Sequence, residues 1–334
     1  MRILLVPALV AAFAAPAAAQ LEGAFTLTSR DNGKDTRIHL NLVYDGGRSN
    51  HGRMVERSAL TDVVRTGDRL TFALRREPGT FTFEGRGSLD RASGWYGFTG
   101  NREFRQQLEK LGFRGVEPKE LFVFALDDLT VVKVRQLQQL VSNRLDTVEL
   151  VQMINHGAGF NYVQAMSTLG FKNLTSGEYR RARDHGVSES YVREMTDLGF
   201  KLSLEELIRT RDHGVTAEYV REMRSAGFQV SHDGLVRARD HGVTAEFLRR
   251  MRDFGYDKLS LDEYIRMRDH GVTPEYVQAM RDLGYTNLTA DELVRMRDHG
   301  VTASYVRRVK ELLKEPPSAE QLIRMRSRGE IGSR

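Results

Sequence analysis

Arg211-Asp212-His213-Gly214-Val215 is one of five identical pentapeptides that recur at a nearly fixed period and decide the fold of this 334-residue chain. The copies span Arg183–Val187, Arg211–Val215, Arg239–Val243, Arg268–Val272 and Arg297–Val301. Their histidines are spaced by 28, 28, 29 and 29 residues, and an altered copy, Asn155-His156-Gly157, precedes them by one period. Self-similarity at a period of this length is typical of stacked structural repeats.

Each repeat predicts two helices joined by a glycine. The first helix begins at a capping box such as Ser203 with Glu206, and ends at the glycine of Asp-His-Gly, which readily adopts a left-handed conformation. The second begins at a cap such as Thr273-Pro274-Glu275. Because one hairpin cannot bury its own apolar stripe, residues 101–329 are expected to form an α-solenoid of about eight helical hairpins, with a frayed tail at 330–334.

Residues 20–100 predict a small β module. Apolar and polar residues largely alternate in Ile38–Tyr44, Leu70–Leu74 and Phe81–Gly85, which is the period of a half-buried strand. Arg76-Glu77-Pro78-Gly79 is a turn signal between two of these strands. About six short strands would form an antiparallel β meander, either a small sandwich or an open barrel. The whole chain is therefore predicted to be an α+β multidomain protein.

The first 19 residues predict export. Met1-Arg2 is a positive start, Ile3–Phe13 is apolar, and Ala17-Ala18-Ala19 is a small-residue cleavage pattern, so we expect residues 1–19 to be a signal peptide. The apolar run is shorter than the ~20 residues of a spanning helix. We expect no transmembrane segment in the mature chain and a periplasmic or secreted location.

The composition excludes several classes of function. Lysine and arginine total 50 against 45 acidic residues, and this surplus of +5 is too small to predict a nucleic-acid partner. The chain has no cysteine, which excludes disulfides, thiolate metal sites and cysteine nucleophiles. It has no sequence motif of the common hydrolases or of phosphate-binding loops, so we expect no catalytic residue and no cofactor.

In the β module, an aromatic pair and two histidines invite a functional interpretation. Trp95 and Tyr96 with His39 and His51 could line a ligand pocket. Alternatively, the aromatic rings fill the core of this short module and the histidines lie on its polar face, which is the interpretation we prefer.

The repeated Asp-His pairs invite a second functional interpretation, as metal ligands. Equivalent positions in stacked helices lie ~10 Å apart, whereas zinc holds imidazole nitrogens at ~2.0–2.1 Å. We therefore expect no metal site. Instead, histidine would finish the first helix, where the helix dipole favours a cation, and aspartate would pair with arginine.

A doublet of arginines with one residue between them also recurs in the five repeats that carry the Arg-Asp-His-Gly-Val pentapeptide, beginning with Arg181 and Arg183. It supplies the candidate binding residues Arg209, Arg211, Arg237, Arg239, Arg266, Arg268, Arg295 and Arg297. In register, they could bind an unknown protein or an acidic cell-surface partner. Acidic residues close to each doublet allow the alternative of a salt-bridge ladder between repeats, worth little per pair but able to fix the stacking register.

Thr216–Phe228, preceded by Arg-Asp-His-Gly-Val, resembles repeats of bacterial exported proteins. It is also similar to extracytoplasmic repeats in some relatives of the β-lactam-sensing transmembrane metallopeptidases, and Phe72–Gly85 resembles the β module that often precedes such repeats. The resemblance implies this architecture but no peptidase or sensor activity, because the protease motif is absent from the sequence. We expect an exported, non-catalytic protein-interaction scaffold; the alternative is a periplasmic hydrolase or ligand-processing or ligand-binding protein with its site in the β module or at its junction with the helices.

Overall fold

A computed structural model describes residues 20–29, 36–44, 49–229, 231–313 and 315–330. The predicted signal peptide, 1–19, and residues 331–334 of the predicted tail lie outside the described residues. The chain divides into two compact units, an N-terminal unit ending at Asp184 and a C-terminal unit beginning at His185. The predicted α+β class is confirmed, with an antiparallel sheet followed by helices.

The described residues form seven strands in one antiparallel sheet, which is curled into a half-barrel. The strands are β1 (Leu21–Thr28), β2 (Arg37–Tyr44), β3 (Ser49–Glu56), β4 (Leu60–Thr66), β5 (Arg69–Arg76), β6 (Gly79–Ser88) and β7 (Arg91–Gly100). Their order in the sheet is β3-β2-β1-β7-β6-β5-β4, so β3 and β4 are the edges. Of the two predicted arrangements, the sheet is the open one rather than a sandwich.

The inner face of the sheet is built by the alternation visible in the sequence. Phe25, Leu40, Phe72 and Phe83 are each at most 3% exposed. The ring of Phe25 meets those of Phe72 and Phe83 edge-on at centroid distances of 5.6 and 5.2 Å, a favoured aromatic geometry. Burial of these side chains on one face fixes the register of the strands.

The described residues also form sixteen α-helices. They are α1 (Arg102–Lys110), α2 (Pro118–Leu126), α3 (Val131–Leu140), α4 (Thr147–Asn155), α5 (Phe160–Thr168), α6 (Ser176–Asp184), α7 (Glu189–Asp197), α8 (Leu204–Asp212), α9 (Ala217–Ser225), α10 (His232–Asp240), α11 (Ala245–Asp253), α12 (Leu261–Asp269), α13 (Pro274–Asp282), α14 (Ala290–Asp298), α15 (Ala303–Leu312) and α16 (Ala319–Ser327). Even-numbered helices are the first helices of the repeats and odd-numbered helices are the second. None of these helices is both apolar enough and long enough to cross a membrane.

Within each unit, helices of the same kind stack on one another. In the N-terminal unit, α1, α3 and α5 are successive neighbours, as are α2, α4 and α6. In the C-terminal unit, α7, α9, α11, α13 and α15 form one such series and α8, α10, α12, α14 and α16 the other. This stacking buries the predicted stripe, since Tyr219, Val220 and Met223 are each at most 3% exposed.

The helix ends follow the predicted chemistry. The hydroxyl of Ser203 accepts from the backbone N–H of Glu206, whose carboxylate accepts from the backbone N–H of Ser203. At the other end of α8, Gly214 has a φ of 70°, which glycine adopts without strain. After this turn the chain enters α9 at Ala217.

The helix α2 packs against the inner face of the sheet. Its residues Leu121–Leu126 are all buried, and Phe122 is 1% exposed. The Phe122 ring lies 5.3 Å from that of Phe81 and 5.5 Å from that of Phe98, both on the inner face of the sheet. The sheet and the first helices therefore share one core.

Candidate functional site

The repeated histidines and aspartates form hydrogen bonds between successive repeats. In each case, Nδ1 of a histidine meets a carboxylate oxygen of the aspartate one repeat later, at 2.5 to 2.8 Å. The pairs are His156–Asp184, His185–Asp212, His213–Asp240, His241–Asp269 and His270–Asp298. The sequence-based expectation that this aspartate pairs with arginine was wrong, because the stacking brings the next repeat's carboxylate to the imidazole.

The first arginine of each doublet also reaches the next repeat. Each pairs with an acid in the first turn of the following first helix: Arg209 with Asp233, Arg237 with Asp262, Arg266 with Asp291 and Arg295 with Glu320. Arg209 lies 2.7 Å from Asp233, and about half of each side chain is exposed. Exposed pairs of this kind contribute roughly 0.2–1 kcal/mol each.

The second arginine of each doublet reaches back to the preceding repeat. Its guanidinium lies 4.9 to 5.3 Å from the centroid of an aromatic ring there, within the range of a cation–π contact. The contacts are Arg211 with Tyr191, Arg239 with Tyr219, Arg268 with Phe247 and Arg297 with Tyr276. All eight candidate arginines thus have partners in a neighbouring repeat, as the ladder alternative requires. Their role in binding stays a prediction.

The tyrosines below these arginines complete the contacts between repeats. The hydroxyl of Tyr219 donates to the backbone oxygen of Val243 at 2.8 Å, and Tyr191 and Tyr276 do the same to Val215 and Val301. Burial raises the pKa of each of these three tyrosines to about 12, so each stays a neutral donor. The sequence analysis missed this bond.

The arrangement of the repeated histidines bears on the metal-ligand interpretation. No three His, Asp or Glu side chains within the described ranges come together as a possible ligand set. Five of the repeated histidines are each paired through Nδ1 with a single carboxylate, and Nδ1 of His299 lies 3.0 Å from the hydroxyl of Ser327. One carboxylate and one imidazole are a poor ligand set for zinc.

The four residues singled out in the β module occupy different places. Tyr96 is 3% exposed and belongs to the core as expected, whereas Trp95 is 72% exposed and lies on the outer face. His39 is exposed, but His51 stacks on Tyr44 at a ring distance of 5.6 Å. The prediction was therefore wrong for Trp95 and His51, because strand alternation places residue 95 outward and residue 51 inward.

A group of polar atoms lies on the inner face of the sheet around Phe122, contributed by Tyr44, His51 and Tyr96. We call this place the inner end of the sheet. The hydroxyl of Tyr96 is buried and has no hydrogen-bond partner among the described residues. Nearby, the hydroxyl of Tyr44 lies 3.3 Å from Nε2 of His51, and the Phe122 ring contacts all three rings. Burial lowers the pKa of His51, aided by the charge of Arg53, which favours its neutral form. A small polar group could satisfy the Tyr96 hydroxyl here.

Asp127 is a half-buried carboxyl at the end of α2. It follows α2 at the position that histidine occupies in later repeats. Burial raises its pKa to about 6, against the attraction of Arg53 and Lys133. A Cβ atom on Gly159 would lie 2.4 Å from Oδ2 of Asp127, so glycine at the cap of α5 makes room for the carboxyl.

The raised pKa of Asp127 predicts a pH-dependent stability. Between about pH 4 and 6 this carboxyl keeps its proton in the folded chain but loses it in the unfolded chain, so its stabilising contribution, complete below about pH 4, is lost as the pH rises through 6. The Asp127→Asn variant should therefore have a free energy of unfolding higher by up to about 3 kcal/mol at neutral pH and unchanged below about pH 4. Urea unfolding at both pH values measures this difference, and an equal difference at both would contradict the assignment.

Comparison with known proteins adds no assignment: no protein-family model and no curated protein matches the chain.

Proposed function

We propose that the chain is an exported, non-catalytic protein-interaction scaffold that binds through the outer surface of its second helices. The observation that carries this proposal is the use of the repeated polar side chains. Histidine, aspartate, both arginines and tyrosine all contact a neighbouring repeat, so they serve as a framework. Repeat proteins keep such a framework constant and vary the exposed residues that meet a partner.

Surface positions of the second helices vary to different degrees. One position along α7, α9, α11, α13 and α15 holds Glu194, Glu222, Arg250, Ala279 and Arg308, whereas the position before it holds Arg193, Arg221, Arg249, Gln278 and Arg307, all exposed. Within the described chain, Arg193, Arg249 and Arg307 have no ion-pair partner. We call Arg193, Arg221, Arg249 and Arg307 the outer arginine column. Arg221 lies 3.8 Å from Glu194, and the three guanidinium groups that are unpaired within the described chain suit an acidic partner, a protein or a cell-surface polymer.

The doublet arginines remain a second candidate surface for the same partner. Side chains of the first arginines are about half exposed, between 49% and 53%. An acidic partner could contact them without breaking the stack, since the guanidinium has five donors and the ion pair uses few of them.

A ligand-binding or ligand-processing function at the inner end of the sheet is a second candidate. It is favoured by the buried hydroxyl of Tyr96, which lacks a partner in the described chain, and by Asp127 at the end of α2, whose pKa of about 6 suits proton transfer. This function predicts turnover that depends on one or two of these residues.

Export is part of the proposal, and it rests on the sequence of residues 1–19. We expect cleavage after Ala19. N-terminal sequencing of the protein from its native host should give Gln20 first, and a retained Met1 on cytoplasmic protein would contradict export.

Affinity capture from a cell-envelope extract tests the scaffold. The mature chain is compared with a variant carrying Arg193→Glu, Arg221→Glu and Arg249→Glu, which reverses charge at exposed sites. We expect a stoichiometric partner that the parent chain retains and the variant loses. The absence of any partner, together with turnover that depends on Tyr96 or Asp127, would contradict the scaffold and favour the second candidate.

A further inference from the structure

In the C-terminal unit, a long cationic side chain covers each groove between successive second helices. It lies in the last turn of the later helix and donates to the backbone oxygen at the end of the earlier one. The pairs are Arg224 with Leu198, Arg252 with Ala226, Arg281 with Phe254 and Lys310 with Leu283. These grooves are therefore occupied by the chain itself.

The groove between α3 and α5 in the N-terminal unit departs from this rule. Ser167 occupies the position of Arg224, and its side chain is too short to reach Leu140, the equivalent of Leu198. A cavity of about 250 Å³ opens between the two helices, with Leu140, Phe160 and Ser167 among its lining residues. One serine in place of a long cation thus leaves this groove open.

The open groove is lined by uncharged hydrogen-bonding groups. Gln136, Gln139 and Gln164 line it, and their side-chain amides make no hydrogen bond within the described chain. Each primary amide offers both donors and an acceptor. The corresponding groove between α7 and α9 instead carries Glu194 and Arg221, which lie 3.8 Å apart and are charged.

We propose that the α3–α5 groove binds an uncharged, extended segment of a partner protein, whose main-chain amides pair with the three glutamines. This inference rests on the proposed scaffold function and assigns it a second surface, separate from the outer arginine column. A neutral partner is favoured because a charge entering this groove would lose hydration without meeting an opposite charge.

Two further features favour a segment of chain over a whole small molecule or a sugar. The cavity is smaller than the ~300–1,000 Å³ of sites that enclose a drug-sized ligand, so it suits part of a longer chain. Its apolar lining consists of Leu140 and Phe160. This lining can accept a small apolar side chain, but Phe160 is only 6% exposed and so presents no open ring face on which a sugar could stack.

The Ser167→Arg variant tests the proposal by restoring the side chain that closes the other grooves. We expect its guanidinium to donate to the Leu140 oxygen and fill the cavity, with a thermal unfolding midpoint no lower than that of the parent. Ser225→Arg is the matched control, because it adds the same charge at an exposed site on α9. A Gln136→Ala/Gln164→Ala variant removes two exposed amides and provides an independent test if Ser167→Arg fails to fold.

The immobilised full chain and each variant are exposed to two libraries of acetylated, amidated octapeptides, one uncharged and one rich in Asp, Glu, Lys and Arg. We expect the parent and Ser225→Arg to retain uncharged peptides, and Ser167→Arg and the double glutamine variant to retain at least tenfold less by mass spectrometry. Any of four results would overturn the proposal. They are no retention by the parent, equal retention by Ser167→Arg, a preference for charged peptides, and binding of N-acetylglucosamine tetramer in place of peptides. Equal retention of octapeptides by parent and Ser167→Arg would overturn the groove alone, whereas failure of the parent to capture any partner from the envelope would overturn the scaffold.

Discussion

Replacing Phe122 by alanine should destabilise the N-terminal unit by about 3–5 kcal/mol, which is the cost of removing a fully buried aromatic ring. The loss is expected to be large because this ring joins α2 to the sheet through contacts with Tyr44, Phe81, Tyr96 and Phe98. Urea unfolding measures the change, and amide hydrogen exchange should show lost protection in both the sheet and α2.

Phe122→Leu is the control for this prediction. Leucine keeps most of the apolar volume, so we expect it to cost about 1 kcal/mol. A Phe122→Ala variant that loses protection in α2 while the sheet remains fully protected would contradict the shared core, since the sheet would then fold without its helix.

Tyr219→Ala should destabilise the C-terminal unit by about 3–5 kcal/mol. The side chain is 3% exposed, its hydroxyl donates to Val243 in the next repeat, and Arg239 of that repeat lies over its ring. Truncation therefore removes core volume and two contacts between repeats at once. Denaturant unfolding followed by hydrogen exchange should locate the loss in α9 and its neighbours α7 and α11.

Tyr219→Phe separates the hydroxyl from the ring. It should cost only about 1 kcal/mol, the net value of one hydrogen bond. The chain already contains this substitution, because Phe247 occupies the equivalent position and still lies beneath Arg268. If Tyr219→Phe costs as much as Tyr219→Ala, the hydroxyl bond rather than ring packing would hold the repeats together.

Much of the helical region could be predicted because its signals are local. Caps, glycines and the apolar stripe lie within a few residues of the feature they specify, and Ser203 with Glu206 behaves as expected. The contacts between repeats could not be assigned in this way. The partner of His213 is Asp240, 27 residues later, and a periodic sequence offers nearer candidates such as Asp212 with equal chemistry. Only the stacking geometry chooses between them.

The β module carried signals that point to two of the missed features. Tyr96 and Phe98 face inward, so strand alternation places Trp95 on the outer face, where it is found. The run Leu121–Leu126 is apolar on all sides, which is typical of a helical segment that is buried all round, as these six residues of α2 are. The raised pKa of Asp127 had no such signal, because it depends on burial against Gly159 and on the charges of residues distant in sequence.

The central claim is that the repeated arginines hold the repeats together while partners bind elsewhere on the surface. Charge-swapped pairs test this claim most directly. Arg209→Asp with Asp233→Arg, together with Arg237→Asp and Asp262→Arg, preserves both ion pairs while moving the positive charge to the neighbouring helix. The single exchange Arg209→Asp, which places two carboxylates together, is the destabilised reference.

The measurement is retention of the captured envelope partner by the swapped chain, made beside its urea unfolding curve. We predict that the swapped chain unfolds near the parent midpoint, above the single exchange, and retains the partner with unchanged affinity. A swapped chain that regains the parent stability but loses the partner would contradict the claim and make the doublet arginines the binding residues.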